Sequence, residues 1–412
     1  MIRIDADRLL ADFLTLSEIG RTPAGGVCRA TFSAAHLQAR AWFLDRSAEA
    51  GLEPRTDAAG NHSAVLAGVS PNARTLLLGS HLDSVPDGGR FDGALGVLAA
   101  LEALRSVKDA GLALPVTLEA IDFTDEEGSL IGLLGSRALA GALTAEMLKA
   151  PRSGRDVLTA ALRRGGLREA DLTRARRDPE SLAGYLELHI EQGPLLERHR
   201  ADIGVVTAIA GSRSYRLVFE GARRHAGTTP LAARRDALLG AARFTLLVRE
   251  TIERHFPGCV GTVGAIEVER SAFNVVPGRA LLLLELRGPA TEQLDALETE
   301  LLAAARREAA AQEVGLLVER VGRWDPVELD ASIQETVAEV ARDLGLSTLE
   351  LLSGAGHDTQ ALAPVTRAGM IFVPSKGGIS HDPAEETSWR DCVNGANVLL
   401  RTVLAVARSD WS

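Results

Sequence analysis

Cysteine is scarce in this 412-residue chain: Cys28, Cys259 and Cys392 are far apart and odd in number. That excludes a disulfide framework and a cysteine-based zinc site, and makes a reducing cytoplasm the expected compartment. No uncharged apolar run reaches bilayer-spanning length, and the segment Met1-Ile2-Arg3-Ile4-Asp5-Ala6-Asp7 is too acidic to be expected as a secretory signal. An excess of positive charge is missing too. The 45 Lys and Arg stand against 55 Asp and Glu for a net charge of -10, and the arginine pairs are interleaved with acids, which argues against a nucleic-acid or anionic-membrane partner. Internal repeats and low-complexity segments are absent. What remains is an ordinary globular composition, 46% hydrophobic and 24% charged, with enough length for two or three structural units.

One stretch organises the chain, from Gly79-Ser80-His81-Leu82-Asp83 to Arg90-Phe91-Asp92-Gly93. It follows the apolar run Thr75 to Leu78 and precedes Gly93 to Val107, whose leucines recur at helical spacing, so it joins a strand to a helix. Open α/β sheets keep their ligands at the carboxyl ends of such strands. His81 offers an imidazole nitrogen, Asp92 an oxygen pair able to bridge two cations, and Asp83 is placed to orient His81 from behind. The same pattern recurs. The alternating strand Val116 to Phe123 ends in Thr124-Asp125-Glu126-Glu127-Gly128, where one Glu can bind metal while its neighbour stays free as a general base. A third strand, Gly184 to Ile190, delivers His189 with Gln192 beyond it, and a fourth, Met370 to Val373, leads towards Ser380-His381.

Before the organising stretch, Asp5 to Ile19 and Ser33 to Ala50 read as helices and Leu52 to Leu66 as paired short strands; after it, the Arg-rich Ala145 to Arg176 also reads as helical. From Gly211 the texture changes to a β-α-β-β-α-β order: strand Ser214 to Glu220, helix Pro230 to His255, strands Gly261 to Glu269 and Arg279 to Arg287, helix Ala290 to Gln312, strand Gly315 to Arg320. The expected organisation is a catalytic domain in two parts, 1–210 and 326–412, interrupted by an inserted α+β ferredoxin-like domain, 211–325. The fold class is α/β, a mixed, largely parallel sheet flanked by helices. His225, Asn274 and Arg287 in the insertion supply a carbonyl-polarising donor, an amide and a carboxylate fork suited to a small anionic substrate.

Gathered together, His81, Asp92 and His189 make one ligand set and Asp92, Glu127 and His381 another, with Asp92 bridging. Nitrogen and oxygen donors without cysteine suit zinc, manganese or cobalt. Paired ions roughly 3.5–4 Å apart hold a water whose pKa falls towards about 7. Glu126, beside a ligand but not itself one, is the natural base, and hydrolysis is the chemistry that follows.

These motifs, with Glu187 to Pro194, His225 to Pro230, Arg234, Asp236, Asn274 to Gly278 and Ser353-Gly354-Ala355-Gly356-His357-Asp358, resemble in order the amidase, hydantoinase and carbamoylase branch of the dinuclear-zinc aminopeptidase and aminoacylase superfamily. The resemblance covers nearly the whole chain. It implies release of ammonia from N-carbamoyl-L-amino acids or, alternatively, from N-carbamoyl-β-alanine or allantoate. It implies two divalent ions, a homodimer through the inserted domain acting as a lid, and His225 reaching the substrate carbonyl from the partner subunit. It gives Gln192, Asn274, Arg287, Gly356 and His357 to the substrate, Arg287 holding the carboxylate. An aminoacylase or dipeptidase is a further alternative, and a binding protein that has lost catalysis is disfavoured by Glu126 standing with every ligand. Three departures stand out: Ser129-Leu130-Ile131 where many relatives have an Arg-Phe pair, Glu285 where Asp is common, and Arg270 where Pro is common. They leave metals and base untouched and bear on substrate identity.

Overall fold

The computed structural model describes residues 2–408. It divides into two compact units, the first running to Thr207 and resuming at Glu328, the second spanning Ala208–Val327. In chain order, the first unit lays down β1 (Glu53–Thr56), β2 (His62–Leu66), β3 (Thr75–His81), β4 (Thr117–Phe123), β5 (Leu182–Ile190) and β6 (Ile203–Ile209). The second contributes β7 (Gly211–Glu220), β8 (Arg224–His225), β9 (Val260–Val268), β10 (Val275–Val276), β11 (Arg279–Gly288) and β12 (Gly315–Trp324). The chain returns with β13 (Val327–Glu328), β14 (Thr348–Ser353) and β15 (Ala368–Val373).

The large sheet has nine strands, ordered β1-β2-β4-β3-β5-β15-β6-β13 with β14 beside β6. Its middle, β4-β3-β5-β15, is parallel, and β2 and β6 flank it antiparallel. Parallel strands buried on both faces read as unbroken apolar runs, which is what Leu76, Leu77 and Leu78, all fully buried, amount to. The helix Ala94–Asp109 is buried along fourteen successive residues, Ala94 to Val107, because the sheet covers one side of it and other helices, Ala6–Glu18 and Trp389–Arg408, the other. Parallel pairing has a further consequence: the carboxyl ends of β3, β4, β5 and β15 all emerge on one edge. Register sets His81 opposite Phe123 and Phe372 opposite His189.

The second unit is a four-stranded antiparallel sheet, β12-β7-β11-β9, with the helices Ala237–His255 and Thr291–Ala311 on one face. Alternation along β7 and β11 turns Tyr215, Leu217, Phe219, Leu282, Leu284 and Leu286 inward, and these residues build a core of their own with Phe244, Leu297 and Leu301.

Two expected helices come out differently. Ala145 to Arg176 is broken into Ala145–Lys149, Arg155–Arg164 and a 3-10 segment, Glu169–Ala175. Pro151 and the Gly165-Gly166 pair interrupt the pattern. The helix expected from Pro230 begins at Ala237, where the Asp236 carboxylate caps the amides of Leu238 and Leu239; the preceding residues form a short 3-10 turn.

Candidate metal centre

The parallel edge brings five sequence-selected residues together. Asp92 sits at their centre: Oδ1 lies 3.1 Å from His189 Nε2 and 3.6 Å from His81 Nε2, while Oδ2 lies 3.2 Å from His381 Nε2. Glu127 Oε2 is 3.6 Å from the same His381 nitrogen. His81, Asp92 and His189 offer ligand atoms all within 4.8 Å of one another, as do Asp92, Glu127 and His381. The two oxygens of Asp92 therefore face different histidines, the arrangement a bridging carboxylate requires.

The second ring nitrogens set the tautomers. His81 Nδ1–H donates to the carbonyl of Asp83 at 3.0 Å and His189 Nδ1–H to that of Ile190 at 2.9 Å, so each Nε2 carries the lone pair and faces the cluster; that of His189 also lies 3.3 Å from the Gly93 amide. Asp83 thus orients His81 through its main chain; its carboxylate is 3.8 Å from the ring and instead accepts the amides of Glu126 and Glu127. Gly93 has φ 65°, and a Cβ there would fall 2.5 Å from the His81 ring. Only glycine lets the chain turn into the helix so close to a ligand.

Burial raises the carboxyls of Glu126, well above its ordinary range, and of Glu127, to about 7, with neighbouring acids adding to the shift. Burial also works against Asp92, but hydrogen bonds from His189, His381 and His81 outweigh it and hold that carboxyl well below the usual range. For His381 the Asp92 hydrogen bond lifts the imidazole to about 9. His81 is raised as well: burial disfavours its charge, and Glu126, Asp92 and Asp83 overcome that. All these shifts have one meaning. The cluster attracts positive charge, and a divalent cation supplies it to the same oxygen and nitrogen donors without protons. The donor set fits such an ion.

Glu126 stands beside both sets without belonging to either, its Oε2 3.5 Å from His81 Nε2. Gln192, at φ 57°, donates from Nε2 to Asp92 Oδ2 at 2.9 Å, and its Oε1 is buried without a partner. His357 is buried edge-on to His189, ring centroids 4.5 Å apart, with Ser353 Oγ 2.9 Å from its Nε2; the neighbouring Gly356 is exposed. His225, Asn274 and Arg287 belong to the second unit. There, pairing of β8 with β10 sets His225 opposite Val275, and Ala226 donates to the carbonyl of Asn274 at 2.8 Å, so an imidazole and an amide from distant sequence become neighbours. Arg287 pairs with Glu285, two residues back on the same face of β11.

Three residues escape the sequence reading. Glu385, 2% exposed, accepts the amides of Phe91 and Asp92 on one oxygen and the Ser380 hydroxyl on the other, tying the segment that carries Asp92 to the His381 loop. Glu187 joins Ser80 on β3 to Thr359 in the short helix Asp358–Leu362 that follows His357. Arg40 pairs with buried Asp122, whose other oxygen accepts the amide of Leu82 between His81 and Asp83. His381 itself lies eight residues past β15, in a loop at φ 57°, so it is these contacts and not a strand end that deliver it.

Residues 77–405 match the sequence model of peptidase family M20/M25/M40. The N-carbamoyl-L-amino acid amidohydrolase of Geobacillus stearothermophilus is 38% identical over 409 residues, 99% of this chain and 100% of its own. The allantoate amidohydrolase of Bacillus subtilis is 33% identical over 412 residues, 98% of this chain and 99% of its own. An amidase of the hydantoinase/carbamoylase family from Burkholderia multivorans, known from its crystal structure, superposes with a TM-score of 0.89 at 36% identity, covering 99% of each chain.

Proposed function

Because this chain belongs to peptidase family M20/M25/M40, we propose that it is a metal-dependent amidohydrolase of linear carbon–nitrogen bonds, an N-carbamoyl-L-amino acid hydrolase releasing ammonia, carbon dioxide and the free amino acid. The observation that carries the mechanism is the position of Glu126: its side chain 10% exposed, 3.5 Å from a candidate ligand, and outside both ligand sets. His81, Asp92 and His189 would hold one divalent ion and Asp92, Glu127 and His381 a second, zinc, manganese or cobalt by donor type. Such ions supply Lewis acidity towards a carbonyl oxygen and lower the pKa of water.

The chain's own residues do the rest. Glu126 takes the proton of the attacking water and returns it to the departing nitrogen. His225 donates to the carbonyl oxygen as negative charge develops there, from the second unit of the partner in a homodimer. Gln192, Asn274, Gly356 and His357 hold the carbamoyl group, and Arg287 the carboxylate. Three free thiols suit a cytoplasmic protein, and among the described residues no helix is long and apolar enough to cross a membrane.

The test is ammonia release by metal-stripped protein reconstituted with each ion, across N-carbamoyl-L-amino acids, N-carbamoyl-β-alanine, allantoate and N-acetyl amino acids. Ammonia from the first group supports the reading. The likeness to an allantoate amidohydrolase favours ureido acids as the second reading, and turnover confined to allantoate selects it. Cleavage of acetyl compounds alone overturns both.

The Arg287 assignment has a separate consequence. Arg287→Ala is expected to raise KM for a carbamoyl amino acid about ten- to hundred-fold, the worth of a hydrogen bond to a charged group, and to leave an uncharged amide nearly unaffected. Equal losses on the two substrates assign Arg287 to packing against Glu285 instead.

A further inference from the structure

We propose that Thr31 and Asp125 are positioning residues that fix Glu126 through a hydroxyl shared between two buried carboxylates, an inference that rests on Glu126 being the base. Thr31 lies far from the site in sequence, in the segment after the first helix, and is 3% exposed; Asp83 and Asp125 are fully buried. The Thr31 hydroxyl stands 3.1 Å from Asp83 Oδ2 and 2.9 Å from Asp125 Oδ1, so its one proton serves both acids.

Each acid grips one side of Glu126. Asp83 Oδ1 accepts the amide of Glu126 at 3.2 Å, and Oδ2 that of Glu127 at 3.3 Å. Asp125 accepts the amides of Leu130, Ile131 and Gly132 at 2.9, 2.7 and 2.9 Å, folding the following loop back so that Leu133 N–H reaches the carbonyl of Glu126 at 3.3 Å. The peptide groups on both flanks of the base are thereby held, from opposite sides. Asp125 itself sits at φ 59°, a left-handed conformation that a non-glycine residue keeps only when its surroundings hold it there. That turn takes the chain off the axis of β4 and points Glu126 at His81. The Thr31 backbone closes the ring: its amide donates to Ser129 Oγ at 3.1 Å.

The segment carrying Thr31 is itself anchored behind the site. Arg29, fully buried, donates to the carbonyl of Leu82 at 2.8 Å and to those of Leu16 and Ile19, at and just past the end of the first helix. Its own amide and carbonyl pair with Ser84. The loop after Gly128 is the loop Asp125 holds, so its backbone is tied to the residue just before the base.

Thr31→Val replaces the hydroxyl by a methyl group of equal size, and Thr31→Ser restores it. The Val variant is expected to lose about ten- to hundred-fold in kcat for ammonia release, the cost of a misplaced reacting group, with metal content unchanged. KM is expected to stay within about twofold, and the Ser variant to recover most of the loss. Hydrogen exchange of the peptide carrying residues 126–132 provides a readout that needs no turnover: faster in Thr31→Val and Asp125→Asn, near wild type in Thr31→Ser. Wild-type kcat and exchange in Thr31→Val overturn the proposal, as does a loss of metal parallel to the loss of kcat. A wild-type protein silent on every substrate sinks the base reading of Glu126 and the positioning role with it, while unchanged exchange with an active wild type sinks the positioning role alone.

Discussion

Glu126→Gln is expected to lower kcat for ammonia release by about 10²–10⁴-fold, the range that proton transfer by a positioned side chain contributes, and to leave metal content at the wild-type level. The substitution keeps the size and the main-chain hydrogen bond of residue 126 to Asp83, so the turn after β4 has no reason to move. It removes only the oxygen able to accept a proton. Neither ligand set contains Glu126, and Glu127, one residue on, still points to the other side, towards His381. KM is expected to change little, because the loss falls on the transition state and not on ground-state binding. Metal analysis and steady-state ammonia release on the same preparation decide it. A Gln variant turning over at the wild-type rate removes Glu126 from the base role; one that has lost its metal assigns it to coordination.

The parts of this centre most directly legible in the sequence are those tied to strand ends. His81, Glu127 and His189 follow or end apolar runs, and once three such runs pair in parallel their carboxyl ends must share an edge. Type and position of these candidate ligands then follow from local pattern alone. Glu385 was not legible, because a glutamate in Asp382-Pro383-Ala384-Glu385-Glu386 has the look of a solvated loop. Its counterpart is Gly89, where a Cβ would fall 1.9 Å from the Glu385 carboxyl: the missing side chain is the space that admits Glu385. Thr31 was hidden for a similar reason. Its partners Asp83 and Asp125 lie 52 and 94 residues away, and no periodicity relates residues that meet only through tertiary packing. The short helices between Ala145 and Arg176 failed for the opposite reason: helical propensity summed over the stretch outweighed Pro151 and the Gly165-Gly166 pair, which the chain obeys.

The same reasoning separates Asp92 from its neighbours. Removing Glu127 or His381 takes one ligand from one set, whereas Asp92→Ala takes one from each. It also leaves His189, His381 and His81 without the carboxylate that now faces all three. Loss of a supporting contact already costs metal sites about 10–100-fold in affinity, so loss of a shared ligand is expected to exceed about 100-fold for both ions. Turnover follows metal, so activity alone says little; thermal unfolding says more. A ligand bound only by the native state stabilises it by about 2.7 kcal/mol when its free concentration is 100 times Kd. Added zinc, manganese or cobalt is therefore expected to raise the melting temperature of metal-stripped wild type by several degrees, and that of Asp92→Ala hardly at all. His381→Ala serves as the intermediate case: it disturbs one set only, keeps Asp92 facing His81 and His189, and is expected to retain one ion and part of the shift. If Asp92→Ala instead keeps one ion and behaves like His381→Ala, the carboxylate serves a single metal. The two faces of Asp92 then reflect hydrogen bonding to His381 and not a bridge.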